Sequence, residues 1–140
     1  MKRWREILRD ESGSEAVEMV ICMPILVIML SYMICFCQLF YASQTALNAA
    51  DSGARLAIIS DNAGTAKSQA DSAAKSYVQA AGMGITYESG SLSYSSWQRG
   101  NICDYTVTVK VKTAMPMPGQ TFGRQMHVKG ASHMMIEVSR

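Results

Sequence analysis

Charge is what this sequence has least of. Only 17% of its 140 residues are Asp, Glu, Lys or Arg. That is below the ~25% of ordinary soluble proteins, so a membrane-associated part is expected. The charges nearly cancel, leaving a net +2 at pH 7. No concentrated basic stripe occurs, which argues against a polynucleotide-binding module. Catalytic signatures are missing too: there is no H-E-x-x-H, P-loop or G-x-S-x-G. His127 and His133 fall on an expected strand, ~20 Å apart along it, too far to share one metal ion. Ser60, Ser89 and Ser91 have no evident partners for nucleophilic work. The sequence therefore reads as a non-enzyme with no cofactor, no metal and no small-molecule substrate. Complete disorder is excluded as well, because 49% of the residues are hydrophobic and disorder needs low hydrophobicity with high charge.

Cysteine offers no framework. Cys22, Cys35 and Cys37 lie in an apolar run, where they act as small hydrophobes. The C-x-C of Cys35 and Cys37 is neither a redox nor a zinc pair. Cys103 stands alone and is expected to be a buried or unpaired thiol, with an intermolecular disulfide as the alternative.

What is present is one long apolar segment. Met19–Cys37 reads MVICMPILVIMLSYMICFC, nineteen residues without a charge. As a helix it rises ~28 Å, close to the thickness of a bilayer core. A secretory signal peptide cut near Ala42 is the competing reading, but its apolar region would be shorter, roughly 7–15 residues. A single membrane span is the reading adopted. Lys2, Arg3, Arg5 and Arg9 precede it, and Tyr41–Ala54 holds no Lys or Arg. The positive-inside rule then puts the N-terminus in the cytoplasm and the remainder outside.

Gly13-Ser14-Glu15-Ala16-Val17-Glu18 stands directly before the run. A basic leader ends in glycine, a carboxylate follows five positions later, and a charge-free span comes next. Gly13 has no side chain, so an extended backbone there can enter a protease cleft without a clash. Glu18 is one helical turn from Ser14, and a carboxylate suits the positive end of a helix dipole. Alone, Glu18 reads as a solvated boundary residue; the glycine and the basic leader change that reading in combination. Pro24 is read either as a local kink or melted turn, or as a proline tolerated early in the span.

This arrangement resembles a class III (type IV-like) prepilin signal. The resemblance implies cleavage between Gly13 and Ser14 by a membrane aspartyl peptidase, with the hydrophobic segment kept. Residues Gly13–Arg55 are similar along their length to the TadE-like family of minor pilins (pseudopilins) of tight-adherence pilus systems. The shared features are G-x-x-A-V-E, Pro24 within the run, F-Y-A near its end, then Q-x-x-L-N-A-A and G-A-R. Met19 departs from the pattern, since members often carry an aromatic residue there. The family implies an inner-membrane protein of bacteria that assembles through its N-terminal helix, with Glu18 in an assembly role. Implied partners are a prepilin peptidase, other minor and major pilins, the inner-membrane assembly platform with its ATPase, and membrane lipid, but no nucleic acid. The alternatives are an unprocessed single-pass anchor with an outer binding domain, and a secreted module released near Ala42.

Beyond the span, the sequence predicts one long helix continuing outward, with Leu47, Ala50, Ala54, Ala57 and Ile58 at helical spacing and an Asp51–Arg55 i,i+4 pair. Its small residues allow close helix packing, either in a filament or on the chain's own domain. Ser60–Gly64 breaks the pattern. Thr65 is the expected N-cap of a second helix over Ala66–Ala81, with Ala70, Ala73, Tyr77 and Ala81 as its apolar face and Lys67, Asp71 and Lys75 as its charged one. Gly82-Met83-Gly84 ends it.

The remainder is β-like. Tyr105–Thr113 alternates as a half-buried strand, and Met115–Gly119 stops it. A second strand runs over Met126–Val138, with Met126, Val128, Met134, Ile136 and Val138 on one face. Ile85–Tyr87 and Ser91–Tyr94 are expected as short strands around a Gly90 turn. The fold class is thus an α+β membrane protein: one N-terminal transmembrane helix extending outward, a second helix and a small antiparallel sheet. Its organisation reads as a leader over 1–13, the membrane and extended helix over 14–59, and an outer domain over 60–140.

Overall fold

The computed structural model describes residues 11–112 and 125–137. Lys2, Arg3, Arg5, Arg9, Met115–Gly119 and Val138 lie outside them. Helix α1 (Glu11–Ile58) and helix α2 (Ala63–Ala81) precede strands β1 (Ile85–Tyr94), β2 (Ile102–Lys112) and β3 (Gln125–Met135). The chain falls into two compact units, one up to Phe36 and one from Cys37 onward. The α+β class and the continuation of the first helix past the apolar run are as the sequence predicts.

The first unit holds the N-terminal part of α1. Most of its described side chains are apolar and exposed, as Met29 (69% exposed) and Phe36 (68%) show, while Cys35 is buried. The helix runs on past Pro24. About two turns later, the Ser31 hydroxyl donates to the Val27 carbonyl at 2.7 Å, a local back-bond that satisfies a hydroxyl within its own helix.

The second unit is built on three strands in the order β1-β2-β3, all antiparallel. β2 is central and follows the period of two strictly. Cys103, Tyr105, Val107, Val109 and Val111 are buried, and each buried valine contributes about 1.5–3 kcal/mol. Both helices cover this inward face.

The rungs of the sheet explain how the helices approach. Gly90, Val107 and Gly130 are neighbours across the three strands. A Cβ on Gly130 would collide with the backbone of Ala46 and Leu47, and one on Gly90 with the side chains of Asp71, Tyr105 and Tyr87. The two glycines thus open the sheet on either side of Val107, one for α1 and one for α2. α1 meets this surface with Ala42, Ala46, Ala49, Ala50, Ala54 and Ala57, all fully buried. A Cβ on Gly53 would come 3.0 Å from the Ala70 carbonyl oxygen, so α1 and α2 touch at backbone distance. The alanines of α1 therefore pack on the chain's own sheet and second helix. Leu47, expected on that face, is 40% exposed.

Three other expectations are corrected. Thr65 is not the N-cap of α2. The helix begins at Ala63 behind Asn62, whose backbone is extended (φ −131°, ψ 142°) and whose carbonyl accepts from the Ala66 amide at 2.9 Å. The buried face of α2 is Ala66, Ala70, Ala74 and Val78, a four-residue spacing. Of the face the sequence predicts, Ala70 is buried but Tyr77 is exposed. Finally, Gly90 is not a turn. β1 is one strand of ten residues with a bulge between Tyr87 and Ser89. The bulge shifts parity: Ile85 and Tyr87 face inward before it, Gly90 and Leu92 after it. One extra residue moves the inward set from odd to even positions.

The helix–helix corner is held by one side chain. The Ser60 hydroxyl donates to the Leu56 carbonyl at 3.0 Å and lies 2.6 Å from the Gln69 amide oxygen. The Trp97 indole donates to the Ser60 carbonyl at 3.2 Å. Gly82, with φ 63° and ψ −138°, ends α2 in a positive-φ conformation that glycine adopts without a Cβ clash.

Candidate functional site

The residues singled out in the sequence all lie on α1. Gly13 and Ser14 fall in its first turn, where backbone amides have no intrahelical acceptor. Glu18 follows one turn after Ser14 and is exposed. Among the described residues it has no ion-pair partner. Pro24 lies inside the same helix. The fold does not gather these residues into a pocket; it sets them in sequence along one helix. From Val17 to Phe36 the only charge on that helix is Glu18. A helix hydrophobic all round is stable only in a buried or lipid setting. α1 is long and apolar enough to cross a bilayer, which is consistent with membrane anchoring.

The polar clusters of the second unit are structural. Asp71 Oδ1 accepts from the Tyr87 hydroxyl at 2.9 Å and from the Tyr105 hydroxyl at 2.6 Å. This ties α2 to β1 and β2. Burial, then the adjacent Asp71 carboxylate, pushes the Tyr105 phenol well above its ordinary range, so it stays a neutral donor. Burial also raises Tyr87. On the outer face of the sheet, Glu88 pairs with Lys110 at 3.0 Å and with His127 at 2.5 Å. The Lys110 ammonium, more than His127, holds the Glu88 carboxyl below the usual carboxylate range. His133 pairs separately with Asp104 at 2.5 Å. Each histidine thus has its own carboxylate. No group of three or more His, Cys, Asp or Glu stands in reach of one metal ion among the described residues.

Cys103 is fully buried and unpaired. Burial, and then the neighbouring Asp104, raises its thiol, which suppresses the reactive thiolate. A shallow cavity of about 290 Å³ between the helices is lined by Tyr41, Gln44, Asn48 and Tyr77. Sequence reasoning missed the role of Asp71, since its position on α2 reads as a solvated charge. The tyrosines that seek it are 16 and 34 residues away.

Residues 13–55 match the family model described as TadE-like protein. No curated protein and no solved structure matches the chain. The matched segment contains the exposed apolar rod, Glu18, Pro24 and the alanine face that seats α1 on the sheet. The match supports a pilin-like protein associated with a tight-adherence pilus, of a family that is structural rather than catalytic. Through this segment the chain is similar to the TadE-like family.

Proposed function

We propose that this protein is a minor pilin, or pseudopilin, that takes part in assembling a tight-adherence pilus. It is inserted in the bacterial inner membrane with its N-terminus in the cytoplasm and its C-terminal domain outside. A prepilin peptidase hydrolyses the Gly13–Ser14 bond: water supplies hydroxyl to the Gly13 carbonyl and a proton to the departing Ser14 nitrogen. The mature chain then joins other minor and major pilins at the membrane platform through α1.

The observation that carries this reading is the exposed, all-apolar stretch of α1 with Glu18 as its single charge, inside the TadE-like segment. A lone carboxylate at a membrane helix costs up to a few kcal/mol, less near the margin. Cleavage creates a new cation, the Ser14 amine. Pairing Glu18 with the amine of a neighbouring subunit offsets that cost and selects one register, because a broken pair leaves an unbalanced charge.

Intact mass and N-terminal sequencing test the proposal, on protein purified from membranes with and without co-expressed prepilin peptidase. A peptidase-dependent start at Ser14 is expected. A retained Met1 with active peptidase present overturns processing and leaves a single-pass anchor. A start near Ser43 makes the chain a secreted module.

A further inference from the structure

Met83 combines exposure, apolarity and backbone strain at one position. It is 73% exposed, more than any other large apolar side chain among the described residues. It is also the one non-glycine residue among them with positive φ, at 52°. Gly82 and Gly84 on either side have φ of 63° and 71°. Left-handed turn positions normally go to Gly, Asn or Asp, and Gly82 alone suffices to stop α2. The fold has no need of a methionine at this tip. An observed strained residue of this kind points toward function.

Its place along α1 identifies what it meets. The Tyr41 hydroxyl donates to the Ala81 carbonyl at 3.3 Å, so the end of α2 is level with Tyr41. A bilayer core of ~30 Å takes ~20 helical residues, which from Met19 ends at Gln38. Tyr41 is about one turn further on, at headgroup depth, where tyrosine is enriched in membrane proteins. Gly82-Met83-Gly84 follows Ala81 directly. Lys112 is on the same rim: its amide donates to the Gly84 carbonyl at 3.4 Å, and its side chain is exposed. The rim therefore offers a flexible apolar chain beside a cation, the combination that suits the boundary between acyl chains and phosphates.

We propose that the Gly82-Met83-Gly84 turn is a second membrane contact, with Met83 inserted in the interfacial layer of the leaflet from which α1 emerges and Lys112 on its phosphates. The proposal rests on the reading of α1 as a membrane span. It gives the outer domain a lipid contact besides its covalent link to that span.

The test places a photoreactive benzoylphenylalanine at position 83 of the full chain, reconstituted in phosphatidylethanolamine–phosphatidylglycerol vesicles. Position 29, inside the span, is the positive control. Position 135 is the negative one: it is exposed on β3, and the nearby Glu137 amide bonds the Ile58 carbonyl, ~25 Å along α1 from Tyr41. After irradiation, the mass of one phospholipid is expected to be added at 83 and at 29, and none at 135. Lipid at 29 with none at 83, or a protein adduct at 83, overturns the proposal and leaves the span intact. Equal lipid at 83 and 135 overturns it as non-specific. No lipid at 29 removes the span reading, and the proposal with it.

Discussion

The hydroxyl of Tyr105 donates to Asp71 Oδ1 at 2.6 Å, joining the central strand to the second helix through the middle of the core. Tyr105 is fully buried, so its hydroxyl has no water to fall back on. Asp71→Ala is expected to destabilise the outer domain by about 2–3 kcal/mol, the cost of an orphaned buried donor plus a lost charged acceptor. Tyr105→Phe removes donor and need together and is expected to cost about 1 kcal/mol. Thermal unfolding of the full chain in detergent, followed by near-ultraviolet circular dichroism, ranks the two. Equal effects would mean that the Tyr105 hydroxyl finds another acceptor once the carboxylate is gone.

Gly130 and Gly64 make a matched pair. A methyl at Gly130 meets the backbone of α1, which cannot swing aside, and a methyl at Gly64 meets nothing within 4 Å. Gly130→Ala is expected to cost about 3 kcal/mol, as overpacking against backbone does. Gly64→Ala lies inside α2 and is expected to stabilise by about 0.5 kcal/mol through the unfolded state. The sign of the shift in melting temperature checks both.

The Glu88 pairs carry a pH signature. A carboxyl held below its ordinary range by Lys110 and His127 contributes stability that is fully present above the unfolded value of ~4.3. It is lost as pH falls through the lower folded value. The melting temperatures of the native chain and Glu88→Gln should therefore differ at pH 6 and converge below pH 3. Raising the salt concentration should shrink the difference at pH 6, because the cluster faces solvent. A difference that persists at pH 2.5 would contradict this.

Gly13→Ala and Glu18→Ala should separate processing from assembly. The first is expected to leave the chain uncut by prepilin peptidase, with the leader still attached in the intact mass. The second is expected to be cut normally but to fail to co-purify with sibling pilins from membranes. Normal piliation with both variants would contradict the proposed function.

Cys103 should react only on unfolding. Its thiol is buried and raised above its ordinary range. Maleimide labelling followed by peptide mapping should leave it untouched in the native chain and modify it fully in denaturant. Native labelling at a rate comparable to that of a free thiol would show that the sheet opens there.

The errors in reading the sequence share one cause. The β1 bulge is visible as a change from Ile85 and Tyr87 at odd positions to Leu92 and Tyr94 at even ones. Gly90 lies between the two sets, and glycine signals a turn as readily as a close approach. The approach is that of Asp71 and Tyr105, which local sequence cannot show. Periodicity puts Asp71 on the charged face of α2, because it assigns a face but not a neighbour. In α2 the alanines at 66, 70, 73, 74 and 81 are chemically alike, so the pattern could not choose between two adjacent stripes. Packing against α1 at Gly53 chose the one with the four-residue step.

The sequence by itself determined that α1 is a long apolar helix, that a glycine and a carboxylate stand before its charge-free stretch, and that an alternating strand follows. Those outcomes depend on hydrophobicity and periodicity, which are local and additive. Only the tertiary structure decided that the alanines of α1 serve the chain's own domain, that two glycines flank Val107 to admit both helices, and that Asp71 is shared by two tyrosines. It also placed the strained Met83 turn level with Tyr41. These depend on which backbone comes within contact distance of which, and that is fixed only when strands and helices remote in the chain are packed together.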